Sequence, residues 1–325
     1  MKLLFISILL ILSLVMVQCV SHIPENNTPD DNEDNTPSVH PVFDIMKQYT
    51  SVDAPEIDII PYTVNLMAID LLKKNSKVTQ VKAYIDWYLS HLNYPDKYGA
   101  TGSIYDYKIF ADGNEKSLET FDSVDSYAAT FIMLIDRYFT ITGNRSFIEL
   151  NRKKLEDIIY LVPFLRDTDG LTFAIPGIPH KYLMDNCEAY GGVVSFVNLA
   201  GKMNWDILPF YQALRSDFYN SIRQQFPDPD NIMYFWSIET DYKTASSWSN
   251  FYPDSYAQLF PILYGLEPDS AQRKRLWEIF NRRHEEQLEQ LPVEQKIVYD
   301  WTQEIMDSLN SESENVEYVN SEGEK

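Results

Sequence analysis

The sequence predicts an all-α protein, an (α/α) toroid or open toroid of repeated helical hairpins with short β-strands in the connecting loops. Three observations lead there. A short word recurs at the head of apolar segments, as Pro61-Tyr62-Thr63-Val64, Asp125-Ser126-Tyr127-Ala128, Glu188-Ala189-Tyr190-Gly191 and Asp254-Ser255-Tyr256-Ala257. Its tyrosines are 65, 63 and 66 residues apart, a period that signals stacked supersecondary units. A strand-like run precedes each of the last three tyrosines by about twenty residues: Gly102-Ser103-Ile104-Tyr105, Gly170-Leu171-Thr172-Phe173 and Ile232-Met233-Tyr234-Phe235-Trp236. Each unit also pairs a helix apolar on nearly every side with one charged on a single face.

Taken in order, the chain opens with Met1-Lys2 and an apolar stretch over 3–17, which reads as a signal peptide over 1–20. Such a stretch is too short for a committed membrane span. Cys19 follows directly, and two readings stay open: lipid attachment at Cys19, or cleavage near Ser21. Either way the protein is expected outside the cytoplasm, secreted or anchored by lipid. Residues 21–41 are polar and acidic with almost nothing apolar, the composition of a disordered tether. A single toroid domain is expected over 42–310, then a disordered acidic tail over 311–325.

Within that domain the inner helices are expected after the tyrosines, over 127–141 and 190–201. The outer partners are expected over 77–92, 146–165, 204–226 and 269–288, with a last helix over 293–309. Gly143-Asn144 and Gly201-Lys202 mark turns where a left-handed cap favours glycine. The small residues Ala128, Gly191, Gly192 and Ala257 next to the tyrosines suit close helix approach.

Bulk composition narrows the function. The 325 residues are 45% hydrophobic, ample for a core, and carry 48 acidic against 27 basic residues, a formal charge of −21. That sign disfavours nucleic acid, and membrane contact is expected only through a lipid anchor. Two cysteines, Cys19 and Cys187, supply no disulfide framework, which leaves Cys187 alone and buried. No histidine has a partner at metal-ligand spacing, and Asp167-Thr168-Asp169-Gly170 lacks the later ligands of a calcium loop. No cofactor and no metal are expected. Nucleotide, serine-hydrolase and zinc-protease motifs are absent from the sequence.

Carboxylates open the inner helices: Asp122 with Asp125, Asp185 with Glu188, and Asp254. Parallel inner helices would bring them to one rim, beside helix amino termini. Taken singly, an acid pair three residues apart is also the pattern of a capping box. Aromatic residues accompany the acids in the loops: Tyr105, Tyr107, Phe173, Trp236, Trp248 and Tyr252, together with Asp106. Flat apolar faces among carboxylates suit sugar rings, and glycoside hydrolysis needs two such acids. Asp125, Glu188 and Asp254 are the leading acid or base candidates, Asp122 and Asp185 their companions. The recurrent tyrosines read first as layer-forming residues with hydroxyls bound to backbone carbonyls, Tyr190 and Tyr256 being the ones nearest a site.

The repeated Asp125-Ser126-Tyr127-Ala128, Glu188-Ala189-Tyr190-Gly191 and Tyr252-Pro253-Asp254-Ser255-Tyr256-Ala257-Gln258 words, with strand-bearing loops before them, resemble the six-hairpin glycosidase superfamily over about residues 56–310. Only four complete hairpins and a final helix can be counted, two fewer than that superfamily's name implies. The resemblance implies a site at the amino-terminal rim of the inner helices and an acid pair acting on an oligo- or polysaccharide. The expectation is a monomeric, extracytoplasmic glycoside hydrolase. A polysaccharide lyase, with His180 or Lys181 as base, and a non-catalytic glycan-binding or scaffold protein are the alternatives.

Overall fold

A computed structural model describes residues 40–240 and 242–322. The expected signal peptide with Cys19 and the tether as far as residue 39 lie outside the described residues. The folded part begins within the last two tether positions. His40 is buried and caps helix α1 (Pro41–Met46), its Nδ1 accepting the Val42 N–H at 3.2 Å.

Helices alternate with small sheets. Strand β1 (Glu56–Ile59) leads into α2 (Pro61–Lys73) and α3 (Val78–Ser90), and the hairpin β2 (Tyr107–Phe110) and β3 (Glu115–Ser117) leads into α4 (Val124–Thr142). After α5 (Arg145–Leu150) and α6 (Arg152–Phe164), β4 (Lys181–Tyr182) leads into α7 (Leu183–Met203) and α8 (Leu208–Gln225). The hairpin β5 (Ser237–Ile238) and β6 (Lys243–Thr244) then precedes a π turn at Phe251–Ser255, a 3₁₀ turn at Tyr256–Gln258 and α9 (Leu259–Leu263). Helices α10 (Ser270–Leu288) and α11 (Val293–Glu322) complete the described chain. Each three-stranded antiparallel sheet, β1-β2-β3 and β4-β5-β6, thus joins the strand before one inner helix to the hairpin before the next.

The outer helices lie where their one-sided apolar spacing places them, with two adjustments. The segment over 146–165 breaks at Asn151 into α5 and α6, because Asn151 turns its amide back to the Phe147 carbonyl at 2.9 Å. Gly143 supplies a left-handed cap at φ 62°, but Gly201 stays helical, and Asn204 at φ 58° ends α7 instead. The expected strands are displaced as well. Gly102–Tyr105 is irregular, since Ser103 bonds Asn93 and Asp96, and the ladder begins at Tyr107. Thr172 and Tyr234 make only single bridges, and regular strands follow at Lys181 and Ser237. The last helix runs past 311, where the acidic tail was expected, to Glu322.

The core lies between the inner helices. Helix α4 packs against α2 on one side and α7 on the other, α9 packs on α7, and α11 packs on both α9 and α2. The closing contact is polar as well as apolar. Trp301 Nε1 donates to Asp70 Oδ1 at 3.3 Å, and Lys73 pairs with Glu304 at 2.6 Å. Glycine lets α7 approach both neighbours: a Cβ on Gly192 would stand 2.6 Å from Ala129 Cα on α4, and one on Gly191 2.5 Å from the ring of Tyr264 at the end of α9. Close-packed interiors have no slack for such atoms.

Candidate active site

Two inner helices set the acids. Helix α4 begins at Val124 because Ser123, in extended backbone, caps it by accepting the Ser126 N–H. Asp122 therefore stands outside the helix, solvent-exposed, rather than serving as its cap. Helix α7 starts directly off strand β4 with Tyr182 as its N-cap, so Asp185 lies in the first turn and Glu188 in the second. Neither acid pair is the capping box that the spacing alone allows. The early start of α7 also moves Tyr190 deep into the helix, where it packs on Tyr219 with ring centroids 5.9 Å apart, away from the helix entrance.

Asp125 is fully buried and held by three donors. Ser123 Oγ donates to its Oδ1 at 2.7 Å, the Ser126 N–H reaches the same oxygen at 3.0 Å, and Thr172 Oγ1 donates to Oδ2 at 2.5 Å. Thr172 is fixed in turn by Asn186, whose Oδ1 accepts the Thr172 N–H at 2.8 Å. Ser123 Oγ also lies 2.9 Å from Asp185 Oδ2. Glu188, 2% exposed, receives the Tyr62 hydroxyl on Oε1 at 2.7 Å.

So much carboxylate in so little water raises its proton affinity. Burial pushes Glu188 up to about 8, against the donors it receives. Burial, then the charges of Asp125 and Glu188, hold Asp185 well above the usual carboxylate range, although part of its surface still reaches solvent. Burial also raises Asp125, opposed by its three donors. Beside them Asp106 is lifted by burial to about 6; its Oδ1 accepts the Tyr127 hydroxyl at 2.8 Å, and Asp122 is near enough to contribute. Half-buried Asp185, whose proton affinity burial and its acidic neighbours raise, stands beside solvent-exposed Asp122.

Aromatic rings flank that surface. His180, Tyr182 and Trp236 form a stack with centroids 6.1 and 6.0 Å apart. Tyr182 feels the charges of Asp185 and Asp122. Tyr252, 58% exposed, feels Asp185, Asp122, Glu188 and Glu294, and buried Tyr256 feels Glu188.

Of the residues expected at the site, the fold brings together Asp122, Asp125, Asp185, Glu188, Asp106, Tyr252 and Tyr256, with Trp236 stacked at the edge. The others make the following contacts. Asp254 Oδ1 accepts the Ser247 N–H at 2.9 Å within its own loop, and half-buried Trp248 follows in that loop against the core. Tyr105 is buried, stacked on Phe121, its hydroxyl accepting the Lys97 N–H at 2.8 Å. Tyrosine hydroxyls were expected on backbone carbonyls, yet Tyr62 and Tyr127 give theirs to carboxylates.

Residues the sequence reading passed over are Tyr62, Ser123, Thr172, Asn186 and Tyr182. Ser123, between the two acids of the α4 entrance and in a capping position, carried a visible signal. Lys181 is buried between Asp167 and Asp169 at 2.6 and 2.7 Å, so its charge is matched and the aspartates hold an ammonium. In the β4-β5-β6 sheet Lys181, Ile238 and Lys243 share one register row and line a cavity of about 470 Å³. None of Asp122, Asp125, Asp185 and Glu188 lines that cavity. Among the described residues no group of three or more His, Cys, Asp or Glu side chains is placed to hold a metal ion, and no helix is long and apolar enough to cross a membrane.

No family model matches the chain, and no curated protein matches it. Solved structures do. A GH78 family rhamnosidase of Bacillus sp. GL1 superposes with a TM-score of 0.52 at 12% identity, covering 77% of this chain and 26% of that one. A rhamnosidase from Klebsiella oxytoca with rhamnose bound gives 0.48 at 9% identity, over 69% of this chain and 42% of that one. The chain spans less than half the length of either. The Bacillus likeness is one of fold alone, a helical arrangement shared with that rhamnosidase.

Proposed function

We propose that the protein is a carbohydrate-active helical toroid that hydrolyses glycosidic bonds, with Asp185 as the acid and Asp122 as the carboxylate that activates water or attacks the sugar. The observation that carries this reading is the placement of half-buried Asp185, raised in proton affinity by burial and by the charges of Asp125 and Glu188, beside solvent-exposed Asp122 at the entrances of two adjacent helices. Hydrolysis requires a carboxylic acid still protonated near neutral pH to protonate the leaving oxygen, beside a second acid that stays ionised. Asp125 and Glu188, two of the three leading candidates from sequence, are buried and support Asp185 from behind. Tyr252, Tyr182 and Trp236 supply ring faces for a sugar.

The fold likeness, the ring of neighbours closed by α11 and the open acidic rim support the reading together. The test is turnover of an aryl-glycoside and oligosaccharide panel, read by released reducing ends. Asp185→Asn and Asp122→Asn each lower kcat by about 10²- to 10⁴-fold. Unchanged turnover in both variants overturns the assignment. One observation favours a non-catalytic glycan binder as the second reading: Asp122 and Tyr252 are solvent-exposed, while Asp125 and Glu188 are buried. A binder retains glycans on a column and releases no reducing ends. The matched charge of Lys181 removes one of the two bases a lyase would use.

A further inference from the structure

Ser123 has one hydroxyl hydrogen and faces two carboxyl oxygens, Asp125 Oδ1 at 2.7 Å and Asp185 Oδ2 at 2.9 Å. A serine hydroxyl donates once and accepts twice. If both acids were ionised, one contact would set two acceptors against each other in a buried site. With one proton on the pair every contact is made: Asp185 donates to Ser123 Oγ, Ser123 donates to Asp125, and the Ser126 N–H fills the remaining lone pair at 3.4 Å. The proton's place follows from the other partners. Asp125 receives Thr172 and the Ser126 amide besides Ser123, so its anion is well satisfied. Asp185 has Ser123 alone among these donors.

We infer that Ser123 is a positioning residue that makes Asp125 and Asp185 share a single proton and keeps it on Asp185, the rim acid. The inference rests on the hydrolase reading for its purpose but not for its geometry. The groups facing Asp185 are Asp122 and Asp125 from the α4 entrance, Glu188 on its own helix, Tyr182 from β4 and Tyr252 from the π turn. All are acidic or neutral, and among the described residues no Lys, Arg or His is bonded or ion-paired to the Asp185 carboxylate. Removing the hydroxyl takes away the acceptor of the Asp185 proton and one donor from Asp125, and both changes move the proton towards Asp125.

The experiment is a pH titration of the full chain by difference infrared spectroscopy of the protonated carboxyl stretch, which needs no substrate. Asp185→Asn identifies the part of the band that belongs to Asp185, and Glu188→Gln removes the neighbouring contribution. In Ser123→Gly, the mildest replacement of a helix cap, the Asp185 band is lost at a pH lower by about one unit. Ser123→Thr restores the wild-type midpoint. The same shift is expected in the alkaline limb of kcat/KM. A titration unmoved in Ser123→Gly, with only the melting temperature lowered, overturns the inference and reduces Ser123 to a cap. Absence of turnover on every glycan, with the infrared midpoint shifted, overturns the hydrolase reading and leaves the proton bridge standing.

Discussion

At the entrance of α4, Asp125 collects two hydroxyls and an amide; at the entrance of the π turn before α9, Asp254 caps the Ser247 amide of its own loop. Both open the word Asp-Ser-Tyr-Ala, and both are buried. What separates them is the neighbouring helix. Asp125 faces α7 across a seam that Gly192 and Ala129 draw tight, and α7 brings Asp185 and Glu188 to it. The Asp254 entrance is kinked at Tyr252, where φ −117° and ψ 134° leave the helical region. Its helix then passes through a π turn and a 3₁₀ turn, and the carboxylate is held by the preceding loop. Repeat position sets burial, while the company an acid keeps is set by packing.

The comparison breaks first at activity. Asp185→Asn loses about 10²- to 10⁴-fold in kcat, whereas Asp254→Asn stays within a few-fold; equal losses would merge the two entrances into one site. Stability sharpens it next. Asp125→Ala strands two buried hydroxyls and an amide and costs about 3 kcal/mol or more by denaturant titration, against ~1 kcal/mol for Asp254→Ala. The seam itself is the third lever. Gly192→Ala forces a methyl against the Ala129 backbone and destabilises by about 2 kcal/mol, while Gly201→Ala, with its nearest neighbour 4.0 Å away, gains about 0.5 kcal/mol.

The fourth lever is read against pH. Glu188 has a folded-state value of about 8 against an ordinary 4.5, so between these limits the folded state binds a proton that the unfolded state does not. Stability conferred by the protonated group is full below about 4.5 and declines up to about 8, by roughly 1.4 kcal/mol per pH unit for a group titrating alone. Glu188→Gln, neutral at every pH, flattens that slope in denaturant titrations. An unchanged slope would mean Glu188 is ionised in the fold.

The helical repeat was legible in the sequence because the word at each tyrosine, the one-sided charge of the outer helices and Gly143 are local signals. The small residues at the seam were legible for the same reason. The site was legible only in part. Asp122, Asp125, Asp185 and Glu188 were named, but their ranking depended on where α7 begins, and strand β4 starts it seven residues before Tyr190. Tyr62 reaches Glu188 across 126 positions of chain, and Ser123 reaches Asp185 across 62. No periodicity records such contacts. Asp254 shares its word with Asp125, and the kink at Tyr252 that distinguishes their helix entrances leaves no mark in that word.

The bond from Trp301 to Asp70 spans 231 positions. Bringing such distant segments together costs loop entropy that rises with the logarithm of their separation and must be met before the contact rewards it. Until residues 293–322 have been made, helix α2 therefore lacks the partner that covers its α11-facing side. Synthesis order makes α11 the clasp of the molecule, so a chain released before residue 293 would present that uncovered apolar side to the chaperones and proteases that survey unfinished proteins.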